Sequence, residues 1–339
     1  MIKVATYAVL IAAMVAFGFG VYRVAGAMKS DTGHAVRPSS TTGVALPYTM
    51  YVTQSGALYQ FKGGQFKQIT GDNGWTEPSA SPDGTKLVVV SKHLNYSDLY
   101  LLSPDGQVKA QLTHHEAASI EGNHWGFLPR FSADGTQVFY SYDNTDPYGS
   151  SYRADLAIFE RPASQGGGAV QWTDPNQYTG GDTYPVPLRE GGLLYTRYLI
   201  DDKSQVHSQI RLVPERGAAG LALTAPAGDC EQPALSPDQT SIAMICRHGS
   251  TQSTELVLAS IDTGTGVIGH ESVLVTGQMA AAPAFSPDGK TIAFLAPVQQ
   301  GGPFQLWTVP AVASASPAAA RPITQNVALD SGSAPVWIR

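Results

Sequence analysis

Short apolar stretches recur along most of the chain, each interrupted by a tight turn rich in Ser, Pro, Asp and Gly, and the whole pattern returns about every fifty residues. The segments EPSASPDGTKLVVVS (from Glu77), LPRFSADGTQVFYSY (from Leu128), YPVPLREGGLLYTRY (from Tyr184), QPALSPDQTSIAMIC (from Gln232) and APAFSPDGKTIAFLA (from Ala282) align without gaps, and APVWIR at the chain end is a sixth, shorter copy. Their shared prolines, Pro78, Pro129, Pro185, Pro233, Pro283 and Pro335, are spaced by 51, 56, 48, 50 and 52 residues. Each copy reads as a strand, a turn and a second strand of β-branched and aromatic residues. In the turn, Pro presets φ, Asp bonds nearby backbone, and Gly accepts positive φ. A third strand follows in DLYLLSPDGQ (from Asp98), ADLAIFE (from Ala154), SQIRLV (from Ser208), TELVLAS (from Thr254) and FQLWTV (from Phe304). A fourth closes on a hydrophobic residue and Thr: Ile69-Thr70, Leu112-Thr113, Trp172-Thr173, Leu223-Thr224, Val275-Thr276 and Ile323-Thr324.

Four antiparallel strands at this period predict the blade of a β-propeller; a β-helix or a sandwich explains neither the period nor the strand count. The chain ends are complementary. APVWIR supplies only a first strand, whereas residues 48–70 supply only a second, third and fourth. Joined, they make one blade and remove the two exposed edges of an open array. The expected fold is therefore an all-β, six-bladed propeller over residues 48–339, with the Ala/Ser/Pro stretch from Ala311 to Pro322 as a surface insertion between strands.

Before the propeller, Val4 to Tyr22 form a nearly unbroken apolar run flanked by Lys3, Arg23 and Lys29. Its length suits a single membrane-spanning helix. The small-x-small Ala25-Gly26-Ala27 leaves open a cleaved signal peptide instead. We assign residues 1–27 to this anchor or signal and 28–47, rich in Ser, Thr, Gly and Pro, to a flexible stalk. The expected location is the cell membrane, with a single N-terminal anchor and the propeller extracytoplasmic, or secreted or periplasmic after cleavage. Only 14% of residues are charged, while 35 Gly and 23 Pro fit many short strands and turns. A net charge of -6 without a basic run argues against a nucleic-acid partner.

The shared proline, the Ser-Pro-Asp-Gly turn and the hydrophobic strand resemble the WD-like repeats of the TolB propeller family, over about residues 48 to 339. That resemblance implies the propeller portion only. TolB carries an additional N-terminal α/β domain where this chain has an anchor and stalk, so its assembly role does not transfer. The non-catalytic propellers of prolyl oligopeptidase-type peptidases are also similar, but their hydrolase domain needs a G-x-S-x-G elbow that this sequence lacks.

Cys230 and Cys246 lie eight residues either side of Asp238, the centre of one repeat turn, and so face each other at a separation that suits a structural disulfide in an oxidising compartment, two reduced thiols being the alternative. His114, His115, Glu116, Glu121 and His124 gather in one connection, but their spacing matches no metal motif and reads first as solvated loop. The Asp143-Asn144-Thr145-Asp146 run has Tyr148 and Ala154 where a calcium loop needs Gly and Glu, and it reads as a turn, as does Asp201-Asp202. Connections from fourth to first and from second to third strands share one face of a propeller. On that face we expect Trp75, Glu77, His93, Tyr96, His124, Trp125, Tyr148, Asp182, Tyr184, Arg197, Asp229 and Glu231, with packing between blades the alternative for several of them, Trp75 and Trp125 above all.

These observations favour a monomeric, non-enzymatic binding or scaffold module, without a cofactor, that presents this face to a protein or glycan. The alternative is a metal-assisted carbohydrate-active lyase or hydrolase using His114, His115 and His124.

Overall fold

The computed structural model describes residues 44–143, 156–175, 179–247, 253–313 and 319–339. The anchor or signal assigned to 1–27, the stalk up to residue 43, Asn144, Asp146, Tyr148 and Ala154 lie outside the described residues. Among the described residues no helix is long and apolar enough to cross a membrane.

Six four-stranded antiparallel sheets make up the propeller. Blade 1 holds β1 (Thr49–Gln54), β2 (Ala57–Lys62) and β3 (Gln65–Gln68), and blade 2 holds β4 (Trp75–Ala80), β5 (Leu87–Lys92), β6 (Ser97–Leu102) and β7 (Val108–Gln111). Blade 3 runs through β8 (Gly126–Phe131), β9 (Gln137–Tyr142), β10 (Ala157–Pro162) and β11 (Val170–Gln171). Blade 4 runs through β12 (Asp182–Pro187), β13 (Leu193–Ile200), β14 (Val206–Val213) and β15 (Leu221–Ala222). Blade 5 contains β16 (Glu231–Leu235), β17 (Ser241–Cys246), β18 (Thr254–Asp262) and β19 (Val267–Gln278), and blade 6 contains β20 (Ala281–Phe285), β21 (Thr291–Pro297), β22 (Phe304–Pro310) and β23 (Arg321–Pro322). The last strand, β24 (Val336–Ile338), pairs with β1 through Thr49↔Ile338, Met50↔Trp337 and Tyr51↔Val336. The ring closes as the complementary ends required.

Middle strands are buried on both faces, which is why LVVVS, SIAMIC and TIAFLA read as continuous apolar runs rather than alternating ones. Alternate residues serve opposite neighbours. Met50 and Val52 pack against Leu295 and Leu306 of blade 6, whereas Tyr51 between them packs against Leu87 and Val89 of blade 2. Each of the six blade interfaces has its own apolar cluster of this kind. At roughly 1.5–3 kcal/mol for each large side chain fully buried, these interfaces dominate stability.

The repeated turn works by one hydrogen-bond scheme. Ser81 Oγ donates to Asp83 Oδ1 (2.6 Å) and accepts the Lys86 N–H (2.9 Å), while Asp83 Oδ1 also accepts the Thr85 N–H (3.0 Å). Ser132/Asp134, Ser236/Asp238 and Ser286/Asp288 repeat it. These bonds hold the Asp83 carboxyl down at about 2, the Ser81 hydroxyl contributing most. The closing threonines share a bonding pattern as well. Thr70, Thr113, Thr173, Thr224 and Thr324 accept, on Oγ1, a backbone N–H from the third strand of their own blade, at 2.8–3.0 Å. Thr276 departs, donating instead to Glu255, where β19 is irregular.

One alignment needs correction. In blade 4 the turn closes Leu188 N–H on the Gly192 carbonyl, one residue tighter than Ser132 N–H on the Gln137 carbonyl in blade 3. The repeats are therefore not gapless, and Tyr195 and Arg197 are the counterparts of Tyr140 and Tyr142. An uncorrected one-residue slip would turn every side chain of β13 to the wrong interface.

Candidate functional site

The axis of the propeller is built by the residue before each shared proline. Proline disfavours the right-handed helical region for its predecessor, and here Glu77, Leu128, Tyr184, Gln232 and Ala282 all take left-handed φ between 50° and 55°. Each sits in a register break of its inner strand. A bulge of this kind frees a residue from the ladder and re-aims its side chain. All five, with Arg130, Gly332 and Ala334, line an axial cavity of only ≈ 20 Å³. That is room for about one water.

Neighbouring blades are laced through this ring. Glu77 Oε2 accepts the Leu128 N–H, and Gln232 Oε1 accepts the Ala282 N–H (2.6 Å), each reaching to the same position of the next blade. The Glu77 N–H donates to Ser333 Oγ (3.0 Å) and the Gln232 N–H to Thr196 Oγ1 (3.2 Å). Burial pushes the Glu77 carboxyl up to about 7, against the lowering effects of the Leu128 N–H, Arg130 and Lys92. Burial likewise depresses Arg130 and raises the Tyr184 phenol.

Around the blade 4–5 sector the charged and phenolic groups of Asp182, Arg197, Tyr198, Glu231, His207 and Asp229 pair with one another. Arg197 forks onto Asp182 with two bonds of 2.6 Å, and the Tyr198 hydroxyl donates to Glu231 (2.6 Å). His207 lies between Asp229 (3.0 Å) and Asp201 (3.3 Å), whose hydrogen bonds raise its basicity. Asp229 also accepts the Ser208 N–H (3.0 Å), tying the β13–β14 hairpin to the segment entering blade 5. Just beyond it, Cys230 and Cys246 form the expected disulfide. Arg197 also lines a crevice of ≈ 590 Å³ between blades 3 and 4, with Trp172, Asp174, Tyr195 and Arg216.

The blade 2–3 sector differs. His93 and Tyr96 stack with ring centres 4.4 Å apart at a hairpin tip, and Leu94 between them is 90% exposed. Trp125 stacks on Phe127 (5.6 Å), both half-buried, with Phe127 also packed against the blade 2–3 core. The segments that carry the two groups are tied together: Ser97 N–H donates to the His124 carbonyl (3.3 Å), Ser97 Oγ to the Gly126 carbonyl (2.7 Å), and the Tyr96 hydroxyl to Glu116 (3.2 Å).

No family model matches the sequence, and no curated protein matches it. Solved structures do resemble the fold. TolB from Acinetobacter baumannii superposes with a TM-score of 0.62 at 17% identity, over 87% of this chain and 68% of that one. A protein assigned as a TolB from Agrobacterium tumefaciens gives 0.59 at 14% identity, over 89% of this chain and 100% of that one. The fold is a TolB-type propeller. A gluconolactonase from Xanthomonas campestris gives 0.52 at 12% identity, over 86% of this chain and 91% of that one, so enzymes share the architecture.

Within this TolB-type propeller the expected face residues separate into three groups. Glu77 and Tyr184 line the axis; Asp229, Glu231 and Arg197 belong to the paired blade 4–5 network; His93, Tyr96, His124 and Trp125 form the blade 2–3 surface. Trp75 and Asp182 are corrections. Trp75 is 9% exposed and packs edge-on against Tyr100 (5.3 Å) between blades, because its inner-strand side points into the interface. Asp182 is fully buried beneath Arg197. The three histidines do not converge. His114 is exposed, buried His115 sets Nδ1 2.7 Å from the Ser97 carbonyl, and His124 sets Nδ1 2.8 Å from the Asp143 carbonyl. Among the described residues no group of three His, Cys, Asp or Glu is arranged to hold a metal ion. Sequence reasoning missed Leu94, Phe127, Arg130, Tyr198 and Gln232. The pre-proline position of Gln232 was the one legible signal among them.

Proposed function

We propose that the chain is a monomeric binding module whose blade 2–3 surface docks a protein outside the membrane, held there by the apolar run at residues 4–22 through the stalk. The observation that carries this reading is the contrast between sectors. The axis is nearly filled and the charged groups of blades 4 and 5 are mutually paired, whereas at blades 2 and 3 His93 and Leu94 are exposed and Tyr96, Trp125 and Phe127 lie half-buried beside them, with no charged hydrogen-bond partner for the rings other than Glu116 among the described residues. Such residues bury much area for few ordered torsions and suit a protein hot spot.

A photo-cross-linking residue at Leu94, compared with one at Lys86 on the opposite face, tests it in intact cells. A discrete adduct at Leu94, absent from Lys86 and lost on adding Trp125→Ala, is the expected result. Equal labelling at both positions would remove the reading. Retention in the membrane fraction after alkaline wash, lost when residues 1–27 are deleted, tests the anchor.

A further inference from the structure

In blades 2 to 6 a position near the C-terminal end of the third strand, opposite the first buried residue of the second strand, faces the preceding blade. In blades 2, 4, 5 and 6 that position holds Leu102, Val213, Ala259 and Val309, all at most 2% exposed. Blade 3 places Arg161 there, paired with Val138 and 7% exposed. The fold thus asks for an apolar side chain and receives a cation. Its guanidinium bonds only backbone carbonyls, those of Leu112, Gly166 (3.4 Å) and Pro162 (3.5 Å), and it joins none of the ion pairs among the described residues. A buried charge ordinarily has a counter-charge.

Arg161 lines a crevice of ≈ 450 Å³ between blades 2 and 3, a volume within the range of small-molecule sites. No Asp or Glu is among the residues that line it. Nearby Asp98 is already committed to Thr113 Oγ1 (2.8 Å), the His115 N–H (2.9 Å) and Gln111 (3.1 Å). One wall is aromatic, with Tyr142 stacked on His115 (4.7 Å) and Tyr140 beside it. The other is the Gly166–Gly167 turn, which carries no side chain. The neighbouring crevice between blades 3 and 4 lacks this imbalance, since Arg197 there is neutralised by Asp182.

We propose that the blade 2–3 crevice is a binding site for a small organic oxyanion, a carboxylate or phosphate group paired with the Arg161 guanidinium while the body of the ligand rests on Tyr140, Tyr142 and His115. Phosphate and carboxylate both match the planar guanidinium fork. This site adjoins the protein-docking surface, with the His124 ring 5.6 Å from that of Tyr142, but uses none of that surface's residues and stands without it.

Isothermal titration of the purified full chain, at low chloride, with inorganic phosphate, glycerol phosphate, glucuronate and neutral glucose tests the site. At least one anion should bind with Kd of about 1 mM or tighter, and glucose should not. Whether phosphate or uronate wins names the source of the oxyanion. Arg161→Met should weaken that binding by roughly tenfold or more, the loss of one charge-assisted contact, while Lys290→Ala, at an exposed turn of blade 6, leaves it unchanged. If Arg161→Met does not fold, Gln165→Glu, on the exposed lip of the same crevice, should weaken binding by charge repulsion. Failure of every anion to bind, or equal binding by the Arg161→Met and wild-type proteins (by Gln165→Glu, should that variant be needed), would overturn the assignment.

Discussion

Glu77→Gln should make the protein more stable at alkaline pH and leave it nearly unchanged at pH 5. The carboxyl lies in the axial ring, where burial raises it from 4.5 to about 7. An acid raised in the folded state contributes its full relative stability below the unfolded value and loses it as pH climbs through the folded one. At about 1.36 kcal/mol per unit, ionising Glu77 costs the fold about 3 kcal/mol above pH 7, of which about 2–3 kcal/mol accrues between pH 5 and pH 8. Glu77 keeps some solvent exposure, and screening makes these upper values. Glutamine keeps the acceptor for the Leu128 N–H, because Gln232 already makes the equivalent bond to Ala282 one half-turn around the ring. Urea unfolding of both proteins at pH 5, 6, 7 and 8 should show the variant's advantage opening with pH. Parallel profiles would refute the claim that the axis titrates.

Two further outcomes follow from the fold. Trp337→Ala removes a half-buried ring from the closing strand, its contacts in the blade 1–6 cluster and its hydrogen bond to the Ala284 carbonyl (3.1 Å). We expect a loss of about 2–3 kcal/mol and a fall in Tm of roughly 3–5 °C by calorimetry; a loss below about 1 kcal/mol would mean that closure contributes little. Gln239 occupies, at φ 61°, the turn position where the sister repeats have Gly84, Gly135 and Gly289. Gln239→Gly should therefore be neutral to stabilising by up to about 1 kcal/mol in denaturant melts, whereas a clear loss would show that its acceptance of the Arg189 N–H (3.1 Å) outweighs the backbone strain.

Blade number, strand order, the turn scheme and ring closure were all legible in the sequence, because each is written in neighbouring residues or in repetition. Ser81, Asp83 and Gly84 act within one turn, and the shared prolines mark every inner strand. The face could be named but not sorted. Whether Trp75 points to solvent or into a blade interface, whether Asp182 meets Arg197, and whether Arg161 finds a counter-charge depend on residues from other strands or from the adjacent blade. Even the one-residue shortening at Leu188–Gly192 shows only in the register of β12 on β13. Local turn chemistry and period fixed the architecture, while burial and charge pairing, which arise only where distant segments touch, decided what each exposed position is able to do.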